Sequence, residues 1–126
     1  MIIGIGIDMV DKRRMKQTLD RLGDRFLRRI LTEREILQVP EGNRKAEYVA
    51  GRFAAKEAFA KATGFGFGKR LSWLDIEVLR EDSGKPTLVI GDHWLDCSDF
   101  GKGLLKVHLS ISHEKNYAIA QVILEG

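Results

Sequence analysis

The period of the apolar positions changes several times along the chain, and each change marks an element. Residues 2–10, Ile2-Ile3-Gly4-Ile5-Gly6-Ile7-Asp8-Met9-Val10, are dominated by β-branched side chains and predict a buried strand. Gly4 and Gly6 alternate with isoleucines, so one face is nearly bare and lets another part of the chain approach the backbone. Over residues 11–31, Met15, Leu19, Leu22, Phe26 and Ile30 recur three and four apart, a helical period that Gly23 kinks or splits. Thr32-Glu33-Arg34-Glu35 has the capping-box pattern and starts a short helix through Val39, which the turn at residues 40–43 ends. A long alanine-rich helix follows over Arg44–Thr63, with Gly64 as its stop. Residues 72–79 and 86–90 predict two strands joined as a hairpin through Ser83-Gly84-Lys85-Pro86. Residues 92–100 are ambiguous; a short helix from Asp92, closed by Gly101-Lys102-Gly103, fits them. Residues 106–112 alternate, with Val107, Leu109 and Ile111 opposed to His108, Ser110 and Ser112. A turn at residues 113–116 and a last strand over 117–124 complete the chain. The order is one strand, three helices and four strands: an α+β fold with a mainly antiparallel sheet packed with helices.

Length adds that 126 residues form one domain large enough for a real core. No apolar run approaches the roughly 20 residues that span a bilayer, so no membrane partner is expected. The chain enters its first strand without a charged, cleavable leader, which predicts a cytoplasmic protein. A single cysteine, Cys97, excludes an intrachain disulfide framework, fits a reducing compartment and reads as structural or incidental. The net charge of +3 is modest, and its distribution is more informative. Arg14, Arg21, Arg25 and Arg28 share a helical face about a quarter-turn from the apolar one, with Lys12, Arg13, Lys16 and Arg29 nearby. Asp20 and Asp24 are the only acids between Lys12 and Arg29. Such a stripe is either a solvated face or a surface for an acidic partner, since guanidinium forks bind carboxylates and phosphates.

Candidate chemistry concentrates in four places. Ala50, Ala54, Glu57 and Lys61 fall on one face of the long helix, flanked by Phe53. A carboxylate among alanine and aromatic side chains is costly unless it is paired, hydrogen-bonded or bound to a cation. Glu57 therefore either pairs with Lys61 one turn on or helps to hold a cation. Asp8 breaks the first strand and either caps the following helix or serves as a metal ligand. Gly64-Phe65-Gly66-Phe67-Gly68-Lys69-Arg70 is either a connector or a loop whose amides, with Lys69 and Arg70, cradle phosphate. It lacks the P-loop pattern and sits at a helix C-terminus, where the dipole does not favour an anion. His113 stands at a strand end, either solvent-exposed or part of a site.

Three stretches together resemble one family. Gly4-Ile5-Gly6-Ile7-Asp8 resembles its opening G-I/L-G-x-D motif. Gly51 to Ala62 carry the R-F-x-x-K-E-A-x-x-K-A signature without departure, and Ser110-Ile111-Ser112-His113 resembles its S-I/V-S/T-H segment. The family is holo-[acyl-carrier-protein] synthase, the short bacterial phosphopantetheinyl transferases, and the resemblance covers nearly the whole chain. One departure lies in residues 92–105, where Gly101-Lys102-Gly103 interrupts the regular amphipathic helix expected there.

The resemblance implies the phosphopantetheinyl-transferase fold and a homotrimer with sites between subunits. It also implies transfer of 4′-phosphopantetheine from coenzyme A to a serine of apo-acyl carrier protein, for fatty acid biosynthesis. Asp8 and Glu57 match the ligands of Mg²⁺ and, with Lys61, the catalytic group. His113, Arg52 and Lys61, with Gly64, Gly66 and Gly68, fall at the coenzyme A site, and Arg14, Arg21 and Arg25 on the carrier-docking face. The residues themselves suit this chemistry: two carboxylates with pyrophosphate oxygens make a hard-oxygen site for Mg²⁺. Glu57 is the first candidate to accept the serine proton and His113 the second. Two rival readings differ. A basic RNA-binding module would use residues 12–29 but leaves Asp8, Glu57 and Lys61 idle and lacks a stacking-aromatic motif, so no nucleic-acid partner is expected. An inactive structural trimer is opposed by the intact carboxylate pair.

Overall fold

The computed structural model describes residues 1–100 and 105–126. The elements run β1 (Ile2–Asp11), α1 (Lys12–Leu22), α2 (Asp24–Ile30), α3 (Glu33–Leu37), α4 (Arg44–Thr63), β2 (Ile76–Arg80), β3 (Pro86–Ile90), α5 (Asp92–Cys97), β4 (Lys106–His113) and β5 (Tyr117–Glu125). The strands form two antiparallel sheets, β1-β5-β4 and β2-β3. In the larger one, Asp8 pairs with Ala120 and His113 with Ala118. The α+β expectation holds, with a single expected sheet replaced by two.

Helix α4 is the centre of the packing. Ala54, Ala55, Ala58 and Phe59 are fully buried and join Val78, Val122 and Leu124 in one core. Val49 and Ala50, nearer the start of α4, meet Met15, Leu19, Leu27 and Ile30 in a second core beneath α1 and α2. A helix buried nearly all round needs small residues, and alanine supplies them while keeping helix propensity high. The bare face of β1 has the use its pattern predicts. A Cβ at Gly4 would overlap the Ala62 carbonyl oxygen, and one at Gly6 the Ala58 carbonyl oxygen. The two glycines bring the strand against the backbone of α4.

Several local expectations change. Asp8 caps none of the described helices; Asp11 is the N-cap of α1, its carboxylate accepting from the Arg13 and Arg14 amides at 2.9 and 3.4 Å. Gly23, at φ +59°, divides residues 11–31 into two helices. The apolar stripe breaks there: Leu27 replaces Phe26 as the fully enclosed side chain, and Leu22 is exposed. The strand expected from Ser72 begins at Ile76, because Ser72 and Asp75 form a capping box around a 3-10 turn, Trp73–Asp75. A helix at Asp92 is present as α5, and the glycines expected to close it lie outside the described residues.

One buried ion pair ties these parts together. Lys56 and Glu35 are both at 0% exposure, with Lys56 Nζ 2.7 Å from Glu35 Oε1. The ammonium also donates to the carbonyls of Ile30 (2.7 Å) and Trp73 (3.0 Å). Glu35 accepts from the amides of Thr32 and Val78, both at 2.9 Å. Burial pushes the Lys56 ammonium pKa down, and the Glu35 carboxylate opposes that. With every charge-bearing atom hydrogen-bonded, the pair escapes the cost of an unpaired buried ion. The capping box expected at Thr32 and Glu35 is present, and Glu35 thus has a second role as the partner of Lys56.

Candidate active site

Three of the expected residues meet between β1 and α4. Asp8 follows Gly4 and Gly6 on the face of β1 turned to the helix. Lys61 Nζ lies 3.0 Å from Asp8 Oδ1 and donates to the Ile7 carbonyl at 3.0 Å. Lys61 thus pairs across to the strand and not with Glu57, one turn back on its own helix. Glu57 is half-buried. Its carboxyl pKa is raised, first by burial and then by the Asp8 charge, with Lys61 working in the opposite direction. Two carboxylates close enough to repel, one ammonium and a partly dry setting form a site that gains from a further cation.

A second cluster lies where the first part of α4 meets β4 and β2. A cleft of ≈ 420 Å³ is lined chiefly by Arg44, Tyr48, Arg52, Arg80 and His113, with Glu47 at its edge. Arg52 is 3% exposed; its guanidinium lies 3.9 Å from the centre of the Tyr48 ring, and its Nε has no hydrogen-bond partner among the described residues. His113 packs on Gly51, where a Cβ would come within 3.1 Å of its ring, and its Nδ1 is 3.7 Å from Glu47 Oε1. Burial lowers the His113 pKa; Glu47 opposes this, while Lys12, Arg52 and Arg80 reinforce it. A cleft with three guanidiniums and a buried, under-bonded nitrogen is suited to an anion with several oxygens. Arg44, Tyr48, Glu47 and Arg80 line it without having been singled out as site residues in the sequence. The first two were detectable, because Arg44, Tyr48 and Arg52 are spaced by four on one helix. Arg80 ends a distant strand and gives no local signal.

The two clusters answer to different neighbouring charges. The charges acting on Glu57 are those of Asp8 and Lys61, whereas those acting on His113 come from Glu47, Lys12, Arg52 and Arg80. Arg52 and Glu57 stand five residues apart on α4, about 7.5 Å along its axis and about 140° around it.

The remaining expected residues lie at the rim. Gly64 is the left-handed C-cap of α4 at φ +81°, and the positions where Gly66 and Gly68 would carry side chains face open space. Arg14 and Arg21 lie on α1, and Arg25 and Arg28 on α2. All four are exposed and have no ion-pair partner among the described residues. The break at Gly23 means that they do not share one continuous helix face.

Comparison with known proteins places this arrangement. The 4′-phosphopantetheinyl transferase superfamily matches residues 4–122. The holo-[acyl-carrier-protein] synthase of Bacillus mycoides is 48% identical, over 100% of this chain and 98% of that protein. A crystal structure of the Bacillus anthracis synthase in complex with CoA (3′,5′-ADP) superimposes with a TM-score of 0.81 at 48% identity, covering 99% of this chain and 97% of that one. The Neisseria meningitidis synthase gives a TM-score of 0.87 at 38% identity, with both chains covered in full. The Helicobacter pylori synthase, in complex with coenzyme A, gives 0.84 at 34% identity over 96% of this chain and 99% of that one. The chain belongs to the 4′-phosphopantetheinyl transferase superfamily, among the holo-[acyl-carrier-protein] synthases.

Proposed function

We propose that the chain transfers 4′-phosphopantetheine from coenzyme A to a serine of apo-acyl carrier protein, releasing adenosine 3′,5′-bisphosphate. The observation that carries this reading is the meeting of Asp8, Glu57 and Lys61 between β1 and α4. Asp8 and Glu57 would hold Mg²⁺, since paired carboxylates with substrate phosphates and waters are its usual setting and their mutual repulsion is relieved by a cation. Bound there, the metal would neutralise charge on the pyrophosphate. Lys61 adds positive charge at the same point. The serine oxygen attacks the β-phosphorus, and the bond from that phosphorus to the bridging oxygen breaks. The electron pair leaves on adenosine 3′,5′-bisphosphate. The serine proton goes to Glu57, the half-buried carboxylate at this point. His113 belongs with the arginine cleft, which takes the nucleotide phosphates of coenzyme A together with Arg44, Arg52 and Arg80. Gly64, Gly66 and Gly68 line its arm, and Arg14, Arg21 and Arg25 receive the acidic carrier protein.

A homotrimer is part of the reading. Ile5, Ile7 and Met9 are 61, 58 and 61% exposed on the outer face of β1, a row that favours cover by another copy. Arg52 and Glu57 diverge around α4, so a neighbouring protomer would bring its cleft to the carboxylates. Sedimentation at assay concentration should report a trimer. A cytoplasmic setting fits the exposed free Cys97, and no described helix is long and apolar enough to cross a membrane. The test of the reaction is nucleotide release: adenosine 3′,5′-bisphosphate should appear only with apo-carrier protein present and should stop in excess chelator. Release without carrier protein, or unaffected by chelator, contradicts the reading.

A further inference from the structure

We propose that Phe67 and Trp73 form a clamp that holds the loop at residues 64–70 in place for the phosphate and pantetheine arm of coenzyme A. The proposal rests on the assignment of coenzyme A as the ligand. Three glycines in five residues leave this loop a wide choice of backbone conformations, which ordering would have to overcome. The backbone of the loop is held by the Gly64 amide on the Lys61 carbonyl (3.1 Å), the Phe65 amide on Thr63 Oγ1 (3.2 Å) and the Gly68 amide on the Leu71 carbonyl (2.8 Å), and the Arg70 carbonyl accepts from Trp94 Nε1 (2.6 Å). The amides of Gly66, Phe67, Lys69 and Arg70 have no hydrogen-bond acceptor among the described residues. The loop begins at Gly64, one turn beyond the Lys61 that reaches Asp8, so these free donors start beside the proposed reaction centre.

The side chains supply the fixation that the backbone lacks. Phe67 stacks on Trp73 with centroids 3.8 Å apart and planes 12° from parallel. Trp73 is itself held to α4 twice. Its ring lies 4.9 Å from that of Phe53, and its carbonyl accepts from the buried Lys56 ammonium at 3.0 Å. Phe65, the other phenylalanine of the loop, turns to Trp94 and Phe100, at 6.5 and 6.4 Å. Both sides of the loop are thus tied to α4, since Trp94 meets Phe59 of that helix at 5.6 Å, but the Phe67 side is the near-parallel stack and its Trp73 is held to the helix by both ring and carbonyl. Donors held in advance of binding avoid the ordering cost that a mobile glycine loop would impose on the ligand. The arginine cleft does not depend on this stack, so the two ends of coenzyme A should respond differently to its loss.

The test is calorimetric titration of Phe67→Ala and Phe67→Tyr with coenzyme A and, separately, with adenosine 3′,5′-bisphosphate, which lacks the arm. Phe67→Ala should weaken coenzyme A by about tenfold and leave the bisphosphate within about twofold, the scale expected of one lost ring pair. Phe67→Tyr should restore coenzyme A affinity. In turnover, Phe67→Ala should raise KM for coenzyme A and leave KM for the carrier protein in place, a split that general loss of fold would not give. Unchanged coenzyme A affinity in Phe67→Ala overturns the clamp, as does equal weakening of both ligands. Failure of the unmodified protein to bind either ligand overturns the coenzyme A assignment and the clamp together.

Discussion

Asp8 and Glu57 belong to different elements, and their charges act on each other because β1 carries no side chains at positions 4 and 6 to hold α4 away. Asp8→Asn and Glu57→Gln preserve shape and remove charge. Each should abolish transfer at saturating Mg²⁺ while the thermal transition stays near that of the wild type; near-normal turnover by either refutes the assignment. His113 offers a second test. Its folded pKa lies below the ordinary 6.5 because burial disfavours the imidazolium. The unfolded chain therefore takes up this proton at a higher pH than the folded one. The contribution of His113 to stability is complete above 6.5 and declines as pH falls from there towards the folded value. Its ring resonance should titrate below 6.5 in the free protein and move upward when coenzyme A phosphates bind beside it. A midpoint at or above 6.5 without ligand would contradict the burial of the ring. The sequence made Asp8, Glu57 and Lys61 legible because each interrupts an apolar or alanine-rich pattern. It could not say which ammonium partner Glu57 or Asp8 would have, since that depends on the approach of two elements about 50 residues apart.

The longer elements were legible where a single period runs unbroken. Helix α4 and strand β3 have the expected bounds, and the β4–β5 pair turns at His113 as expected. Local hydrogen bonds decide where the hydrophobic pattern does not: Asp11 takes the cap that was one of two readings of Asp8, and the Ser72–Asp75 box turns the start of an expected strand into a 3-10 turn. The buried Lys56–Glu35 pair was hidden for another reason. Lys56 lies inside a motif of helix formers, and its three acceptors come from residues 17 to 26 positions away. Lys56→Met should leave the Glu35 carboxylate buried without its counter-ion, at a cost of about 3–5 kcal/mol. The melting midpoint should fall by on the order of 10 °C. Adding Glu35→Gln should recover part of the loss. A Lys56→Met melt indistinguishable from the wild type would show that the pair is neutral for stability.

Across the whole molecule, the proposed chemistry and the proposed docking are placed on separate surfaces: the carboxylates between β1 and α4, the exposed arginines on α1 and α2. Arg14→Glu should therefore raise the apparent KM for the acidic carrier protein and leave coenzyme A binding unchanged. Added salt should slow the wild type more than the variant, because screening weakens an attraction the variant has already lost. Loosened coenzyme A with normal carrier capture would reassign the arginines to a nucleotide-phosphate site. The most direct measurement of the central claim is the mass of the carrier protein itself. After incubation with the chain, coenzyme A and Mg²⁺, apo-acyl carrier protein should gain one 4′-phosphopantetheine, on a serine. It should gain none when Asp8→Asn replaces the wild type. A carrier protein of unchanged mass after incubation with the wild type, or an equal gain with Asp8→Asn, would contradict the account.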